Sequence, residues 1–177
     1  SRWILLPFGG RWYLSDPLES GEDAVMGPGM TTVMLHGWSE VFDAASVLDL
    51  GCGAGSLAVA AASRGARAVA ADLNERALVI ARFNARLNGT TVETRGGDVA
   101  ETAMGEEFDL VLAQPPYFAQ PESERGSTYL HGGRYGDELA LRFVSTAARR
   151  LAPGGTAPVL FDFAQREGAN VGEKVRE

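Results

Sequence analysis

Ser46-Val47-Leu48-Asp49-Leu50-Gly51-Cys52-Gly53-Ala54-Gly55 is an apolar run broken by one aspartate, followed by a turn with glycine at every second position. Residues 46–50 have the make-up of a short buried strand. Glycine at alternate positions permits backbone angles that a Cβ would forbid and lets a ligand come close to the main chain. An alanine-rich segment, Leu57-Ala58-Val59-Ala60-Ala61-Ala62, follows Ser56. A helix beginning there points its free N–H groups into the loop. Strand, glycine turn and helix in that order predict a small-molecule site at the carboxyl end of a parallel strand.

The spacing narrows the ligand. A dinucleotide fingerprint needs G-x-G-x-x-G, and position 56 is Ser; a phosphate-binding P-loop ends in G-K-[ST], and no lysine stands here. The string Leu48 to Gly55 resembles motif I of the class I S-adenosylmethionine-dependent methyltransferases. That resemblance implies S-adenosylmethionine as cofactor, with Asp49, Gly51, Gly53 and Gly55 among the residues that hold it. A tight strand-to-helix turn without a ligand is the plainer alternative, so the remainder of the chain has to decide.

The chain of 177 residues suits a single domain, and 45% apolar with 22% charged residues is an ordinary globular composition. No apolar run approaches the roughly 20 residues that cross a bilayer, and no basic-plus-apolar leader is visible. No membrane partner and a cytoplasmic location are therefore expected. The lone Cys52 excludes an internal disulfide and fits a reducing compartment; inside a glycine turn it reads as a small packing residue. The net charge of −7 offers no overall basic footprint for nucleic acid. A protein or small-molecule acceptor is favoured, with RNA requiring a local patch or a separate domain.

Residues 3–7 and 12–15 read as two strands around Gly9-Gly10. Residues 1–28 are expected to be a hairpin and loop packed on the core, a remnant of a preceding domain; Ser1 is not a natural start. The main domain is expected over residues 29–177. A helix is predicted at 30–42, with Thr31 or Thr32 as its cap, Val33, Leu35 and Val41 among its apolar residues, and His36 structural or exposed. After the helix at 56–64, Gly65 is the stop, and a strand over 66–71 leads to Asp72. That carboxylate lies about 20 residues past the glycine turn, where ribose hydroxyls are held. Asn74 caps a helix with Ile80, Phe83 and Leu87 on one face and Arg76, Arg82 and Arg86 on solvated ones, ending at Asn88-Gly89. Strands follow at 91–95 and 108–113, a helix at 138–151 with Leu139, Phe143 and Val144 buried, a stop at Ala152-Pro153-Gly154-Gly155, and a strand at 159–163 opened by Pro158.

The alternation β-α-β-α-β-β-α-β predicts an α/β fold with a doubly wound, mostly parallel Rossmann-like sheet. The resembling family closes this sheet with an antiparallel strand pair. Only about a dozen residues follow Phe163, a loop and a helix start at 172–177, so that pair is expected to be absent and the domain C-terminally incomplete. The family also implies that Asp98 meets the adenine amino group, with Leu73 and Val99 on either side of the ring.

Gln114-Pro115-Pro116-Tyr117 ends the strand at 108–113 and resembles motif IV, [DN]-P-P-[YF], of methyltransferases acting on amino groups of planar systems. These include adenine and guanine enzymes and the glutamine-amide enzymes acting on release factors. Exocyclic amines and amides are poor nucleophiles because the lone pair is delocalised. Acceptors on both N–H bonds, a side-chain oxygen and the carbonyl of the first proline, would hold the nitrogen aimed at the methyl group. The prolines stiffen the loop and the aromatic ring stacks on the planar acceptor. Gln114, Pro115 and Tyr117 are thus the implied catalytic residues, Gln114 also bordering the cofactor, with Pro116 and Phe118 as substrate contacts. The long loop between Phe118 and Asp137, a binding segment or else a mobile surface loop, adds His131, Arg134 and Tyr135 as candidate substrate contacts. Glutamine departs from the motif: its extra methylene moves the amide oxygen by roughly 1.5 Å.

The combination is most like the "small domain" methyltransferases. It implies N-methylation of an RNA base or a protein glutamine by in-line displacement, with no metal. A small-molecule or natural-product methyltransferase and a non-catalytic module that keeps the fold are the alternatives. A nicotinamide oxidoreductase is disfavoured by the missing third glycine.

Overall fold

A computed structural model of the chain describes residues 3–17, 21–39, 43–116, 118–119, 131–162 and 171–176. A hairpin of β1 (Ile4–Phe8) and β2 (Arg11–Ser15) turns at Gly9-Gly10. Then come α1 (Met30–Ser39), β3 (Ser46–Leu50), α2 (Ser56–Ala62), β4 (Arg67–Asp72), α3 (Glu75–Leu87) and β5 (Glu93–Gly96). The chain continues with β6 (Phe108–Ala113), α4 (Glu138–Arg149), β7 (Leu151–Thr156) and α5 (Val171–Lys174).

β5-β4-β3-β6-β7 form one sheet in that order, and every neighbouring pair is parallel. The expected doubly wound α/β sheet is present, and among the described residues it is wholly parallel. Its central strands carry apolar residues almost without alternation because both faces are covered. Val47, Ala68, Ala70, Leu110 and Leu112 face Leu57, Ala58 and Ala61 of α2 and Leu78 and Ala81 of α3. Leu48, Leu50, Val69, Ala71, Val111 and Ala113 face Phe143 and Ala147 of α4. Cys52 packs with the first group, and burial pushes its thiol pKa up, as befits a packing residue.

Some elements depart from the sequence expectations. Ile80 is buried on α3, but Phe83 and Leu87 are each 48% exposed; the inward face is Ala77, Leu78, Ile80, Ala81, Asn84 and Ala85. Close approach selects these small side chains. A Cβ at Gly55 would lie 2.7 Å from that of Ala81, so bulk belongs at the margins. Arg76 is not simply solvated: its guanidinium forms a two-pronged ion pair with buried Asp16 and covers the Trp3 ring. On α1, Thr31 and Thr32 lie inside the first turn rather than before it, and Thr32 Oγ1 accepts the Gly29 amide. Val33 is half-exposed, Leu35 is buried, and Val41 lies outside the described residues.

The helix predicted at 56–64 ends at Ala62, and Asn74 caps α3 by accepting from the Arg76 amide at 3.0 Å. On α4, Phe143 is buried while Leu139 and Val144 are only half-buried. The last strand starts at Leu151, so Ala152-Pro153-Gly154-Gly155 lies within it and not before it. Phe108 pairs with Leu151 and Leu110 with Thr156, so residues 152–155 of β7 stand against Asp109 alone and the ladder is bulged here. A Cβ at Gly155 would sit 2.9 Å from the Phe108 carbonyl oxygen, which makes this a glycine position by close approach. Past the bulge the ladder resumes: Leu160 donates to the Ala113 carbonyl, and Ala113 donates to that of Pro158. Pro158 thus serves as an acceptor, for which a proline is fully equipped. Phe163 lies outside the described residues.

The hairpin is held on α3 by two side-chain amides. Asn84 Oδ1 accepts from Leu14 N and Nδ2 donates to Leu14 O (2.8 and 3.0 Å). Asn88 repeats the pattern with Trp12 N and O (3.2 and 2.9 Å). Residues four apart on a helix and two apart on a strand recur at nearly the same spacing, about 6 Å against about 6.8 Å. Trp12 turns its own N–H and C=O to α3, so its cross-strand partner Pro7 has no ladder bond to lose.

Candidate functional site

Leu50 of β3 and Ala113 of β6 are register partners, so the two strands end side by side. Chain order runs outward through β4 on one side of β3 and through β6 on the other, the topological switch point at which such sheets bind ligands. Gly51 and Gln114 leave the sheet together: the Gln114 carbonyl oxygen would lie 3.9 Å from a Cβ on Gly51.

The glycine turn is fixed from below and from the side. Gly51 N and Cys52 N donate to the Ala71 carbonyl at 2.8 and 3.0 Å. Gly51, Gly53 and Gly55 have φ of 71°, 51° and 75°, the left-handed region in which a side chain is strained. Asp72 Oδ2 accepts the Gly53 amide and Oδ1 the Asn74 amide, both at 2.9 Å. One carboxylate therefore ties the turn to the start of α3. Asp49 is 3% exposed and accepts from Ala58 N at 3.1 Å, inside the first turn of α2. Burial pushes the Asp49 carboxyl up to about 7, opposed by the Ala58 amide and helped by the charge of Asp72. Burial also raises the pKa of Asp72, against the amides of Asn74, Gly53 and Leu73.

Around this core stand the other residues the sequence singles out. Leu73 is 69% exposed, an apolar side chain next to Asp72 with one face open. Val99 is half-buried against the α4 side of the sheet. Asp98 Oδ1 accepts from Ala100 N (2.9 Å) and Arg142 Nη2 (2.6 Å), and these bonds hold its carboxyl below the usual range. The segment before α1 closes another side, where Ala54 N donates to the Met26 carbonyl at 3.0 Å.

At the end of β6, Gln114 is half-buried, Pro115 buried and Pro116 half-buried. Gln114 Nε2 donates to Thr31 Oγ1 at 2.5 Å, and Thr32 Oγ1 lies 3.5 Å from Oε1. Tyr117 lies outside the described residues. Phe118, 54% exposed, bridges to His131, and Gly132 N donates to the Phe118 carbonyl at 2.9 Å. The chain thus returns to the site after residues 119–130, and Leu139 N anchors it to the Gly132 carbonyl. His131 Nδ1 is buried with no hydrogen-bond partner among the described residues. Arg134 covers the Tyr135 ring at 5.3 Å, and Tyr135 N donates to Glu138. His36 packs edge-on against Phe8, centroids 5.0 Å apart. Among the described residues, no group of three or more His, Cys, Asp or Glu could hold a metal ion, and no helix is long and apolar enough to cross a membrane.

The structure therefore joins the glycine turn, Asp49, Asp72 and Gln114 in one place. Thr31 and Thr32 as partners of Gln114, Arg142 at Asp98 and the Met26 carbonyl escape the sequence reading. Threonines at a helix start signal a cap and nothing about a residue 82 or 83 positions away.

Residues 30–167 match the family described as methyltransferase small domain. A release factor glutamine methyltransferase of Bordetella pertussis is 32% identical, over 92% of this chain and 63% of its own length. A putative protein N5-glutamine methyltransferase of Methanocaldococcus jannaschii is 34% identical, over 64% of this chain and 60% of its own. The chain thus spans about three-fifths of these two curated relatives. Among solved structures, the Thermus thermophilus 16S rRNA N2 G1207 methyltransferase, in complex with S-adenosylmethionine and guanosine, has a TM-score of 0.65 at 22% identity, covering 89% of this chain and 41% of that one. The Pyrococcus abyssi tRNA (uracil-54, C5)-methyltransferase, in complex with S-adenosylhomocysteine, has a TM-score of 0.61 at 21% identity over 91% of this chain and 34% of that one. These two share its fold. With the glycine turn at the switch point and the family match across most of its length, the chain belongs to the methyltransferase small domain family, whose cofactor is S-adenosylmethionine.

Proposed function

We propose that this chain transfers a methyl group from S-adenosylmethionine to a planar amide nitrogen, and that the acceptor is the side-chain amide of a protein glutamine. The observation that carries the reading is the meeting of Gly51 and Gln114 at adjacent strand ends, which sets an acceptor-holding amide beside the cofactor turn. The site fits the cofactor: the turn has no side chain at 51, 53 or 55, and an exposed apolar Leu73 follows Asp72.

In this reading the glycine turn carries the methionine end and Asp72 accepts from the ribose hydroxyls. Asp98 receives the adenine amino group on Oδ2, since Oδ1 already serves Ala100 and Arg142, and Leu73 and Val99 flank the ring. Asp49 acts from below by holding α2. Bound S-adenosylmethionine supplies an electrophilic methyl group on a sulfonium centre. Gln114 Oε1 and the Pro115 carbonyl accept the two N–H bonds of the acceptor, and Tyr117 stacks on its plane. Together they aim the nitrogen lone pair for a single in-line displacement; the protein's contribution is positioning. Phe118, His131, Arg134, Tyr135 and Pro116 line the approach.

A protein acceptor is favoured over RNA on two grounds. The net charge of −7 gives no phosphate footprint, and the two relatives reported above are named for glutamine. A cytoplasmic location goes with this reading, supported by the lone thiol. The test is transfer of a radiolabelled methyl group to release factor protein, ribosomal RNA and metabolite pools in parallel. Label on a glutamine amide is expected; label on RNA or on a metabolite alone overturns the acceptor assignment. Bound cofactor with no transfer to any pool points to a module that keeps the fold without turnover. Gln114→Ala is expected to lower turnover about 100-fold while changing cofactor affinity less than about twofold.

A further inference from the structure

We propose that Thr31 and Thr32 are positioning residues that orient the Gln114 carboxamide for the methyl acceptor; the inference rests on the reading of Gln114 as the acceptor-holding amide. The family motif has Asn or Asp where this chain has Gln, which brings an extra rotatable bond and about 1.5 Å of added reach. Left free, such a side chain would sweep its oxygen past the acceptor position. Here both ends of the carboxamide are engaged by one turn of α1: Nε2 donates to Thr31 Oγ1 at 2.5 Å, and Oε1 lies 3.5 Å from Thr32 Oγ1.

The proton count works. Thr32 Oγ1 accepts the Gly29 amide at 3.1 Å, so its own hydroxyl proton is available to Oε1. Thr31 Oγ1 receives the Nε2 proton. Oε1 takes one long bond and keeps its second lone pair for an N–H of the acceptor. The extra length of glutamine is thus spent sideways, towards α1, instead of forward into the acceptor. Thr32 is buried and Thr31 half-buried, so water competes little for these bonds. The pair restores by tertiary contact the fixed amide that a shorter asparagine would present by itself.

Two measurements decide the matter. In turnover assays, Thr31→Val keeps the side-chain shape and removes the hydroxyl. It is expected to lower kcat about tenfold, near the worth of one well-made hydrogen bond, with cofactor Kd changed less than twofold. Thr31→Ser restores the rate, and Thr32→Val has a smaller effect because its bond is long. Placed on Gln114→Ala, Thr31→Val should cost nothing further, since it acts through the missing amide. Full additivity in that double variant, or wild-type kcat in Thr31→Val, overturns the inference. The second measurement needs no acceptor. The side-chain amide resonances of Gln114, identified as the pair lost in Gln114→Ala, should exchange slowly with water and move to the free-amide position in Thr31→Val. An unmoved pair overturns the positioning role even if no methyl transfer is ever detected, a result that would count separately against the proposed function.

Discussion

The two sides of the β3–β6 junction are built by different means. On the β4 side, strand follows strand in even register, the glycine turn rests on the Ala71 carbonyl, and Asp49 and Asp72 bond to amides within 20 residues of themselves. On the β6 side, β7 bulges, the chain leaves the sheet through two prolines, and Gln114 is held by threonines more than 80 residues away. The first side is stiff because its geometry is locally over-determined. The second is set by tertiary contacts that can be exchanged one at a time. Under the proposed function, such a division would let the acceptor side change while the cofactor side stays intact.

Gly55 is where the stiffness of the β4 side is most exposed to a single substitution. Gly55→Ala brings a Cβ to 2.7 Å from Ala81 and strains a φ of 75°. It should cost about 3 kcal/mol in urea unfolding, from overpacking and left-handed strain together. A loss under about 1 kcal/mol would mean that the turn yields as readily as the other side. Gly155→Ala probes that other side. Three backbone oxygens lie within 3.0 Å of the added Cβ, so a loss of about 2 kcal/mol is expected, and a larger loss than at Gly55 would invert the contrast.

Asp72→Ala should weaken cofactor binding at least tenfold by calorimetry, about 1.4 kcal/mol. Unchanged affinity would show that Asp72 serves the turn and not a ligand. Per pH unit the smallest effect is a slope, at most about 1.4 kcal/mol for one carboxyl. Asp49 titrates at about 7 when folded against 3.8 as its ordinary value, so between these the folded chain binds more protons than the unfolded one. Stability falls as pH rises through that window. The raised pKa of Asp72 adds a slope of the same sign. Asp49→Asn should flatten the Asp49 part, gaining on the wild type from pH 5 to pH 8; parallel profiles would refute the buried-acid assignment.

The same contrast governs what could be read from the sequence. β3, β4, β6, the glycine turn and the Asn74 cap were legible because each is written in neighbouring residues, as apolar runs, alternate glycines or a side chain two positions from the amide it caps. Phe83 and Leu87 stand at the margin of the buried face, because periodicity locates an apolar stripe but not which part of it another backbone will press against. Ala152-Pro153-Gly154-Gly155 looked like a stop because a bulged edge uses the residue types that also break strands. The Thr31–Gln114 bond has no local signature. Motif resemblance supplied candidate roles for Asp98 and Gln114, and the fold supplied the neighbours that now make those roles testable.

The paired amides of Asn84 and Asn88 carry a consequence for the molecule's dealings with its own kind. A two-stranded ribbon leaves a row of main-chain donors and acceptors along its outer edge, a ready template for strand addition by another chain. At Leu14 and Trp12 those groups are already taken, by side chains of α3 spaced as a third strand would be. A helix here impersonates a strand, and the hairpin's β2 edge is closed to self-association without lengthening the sheet.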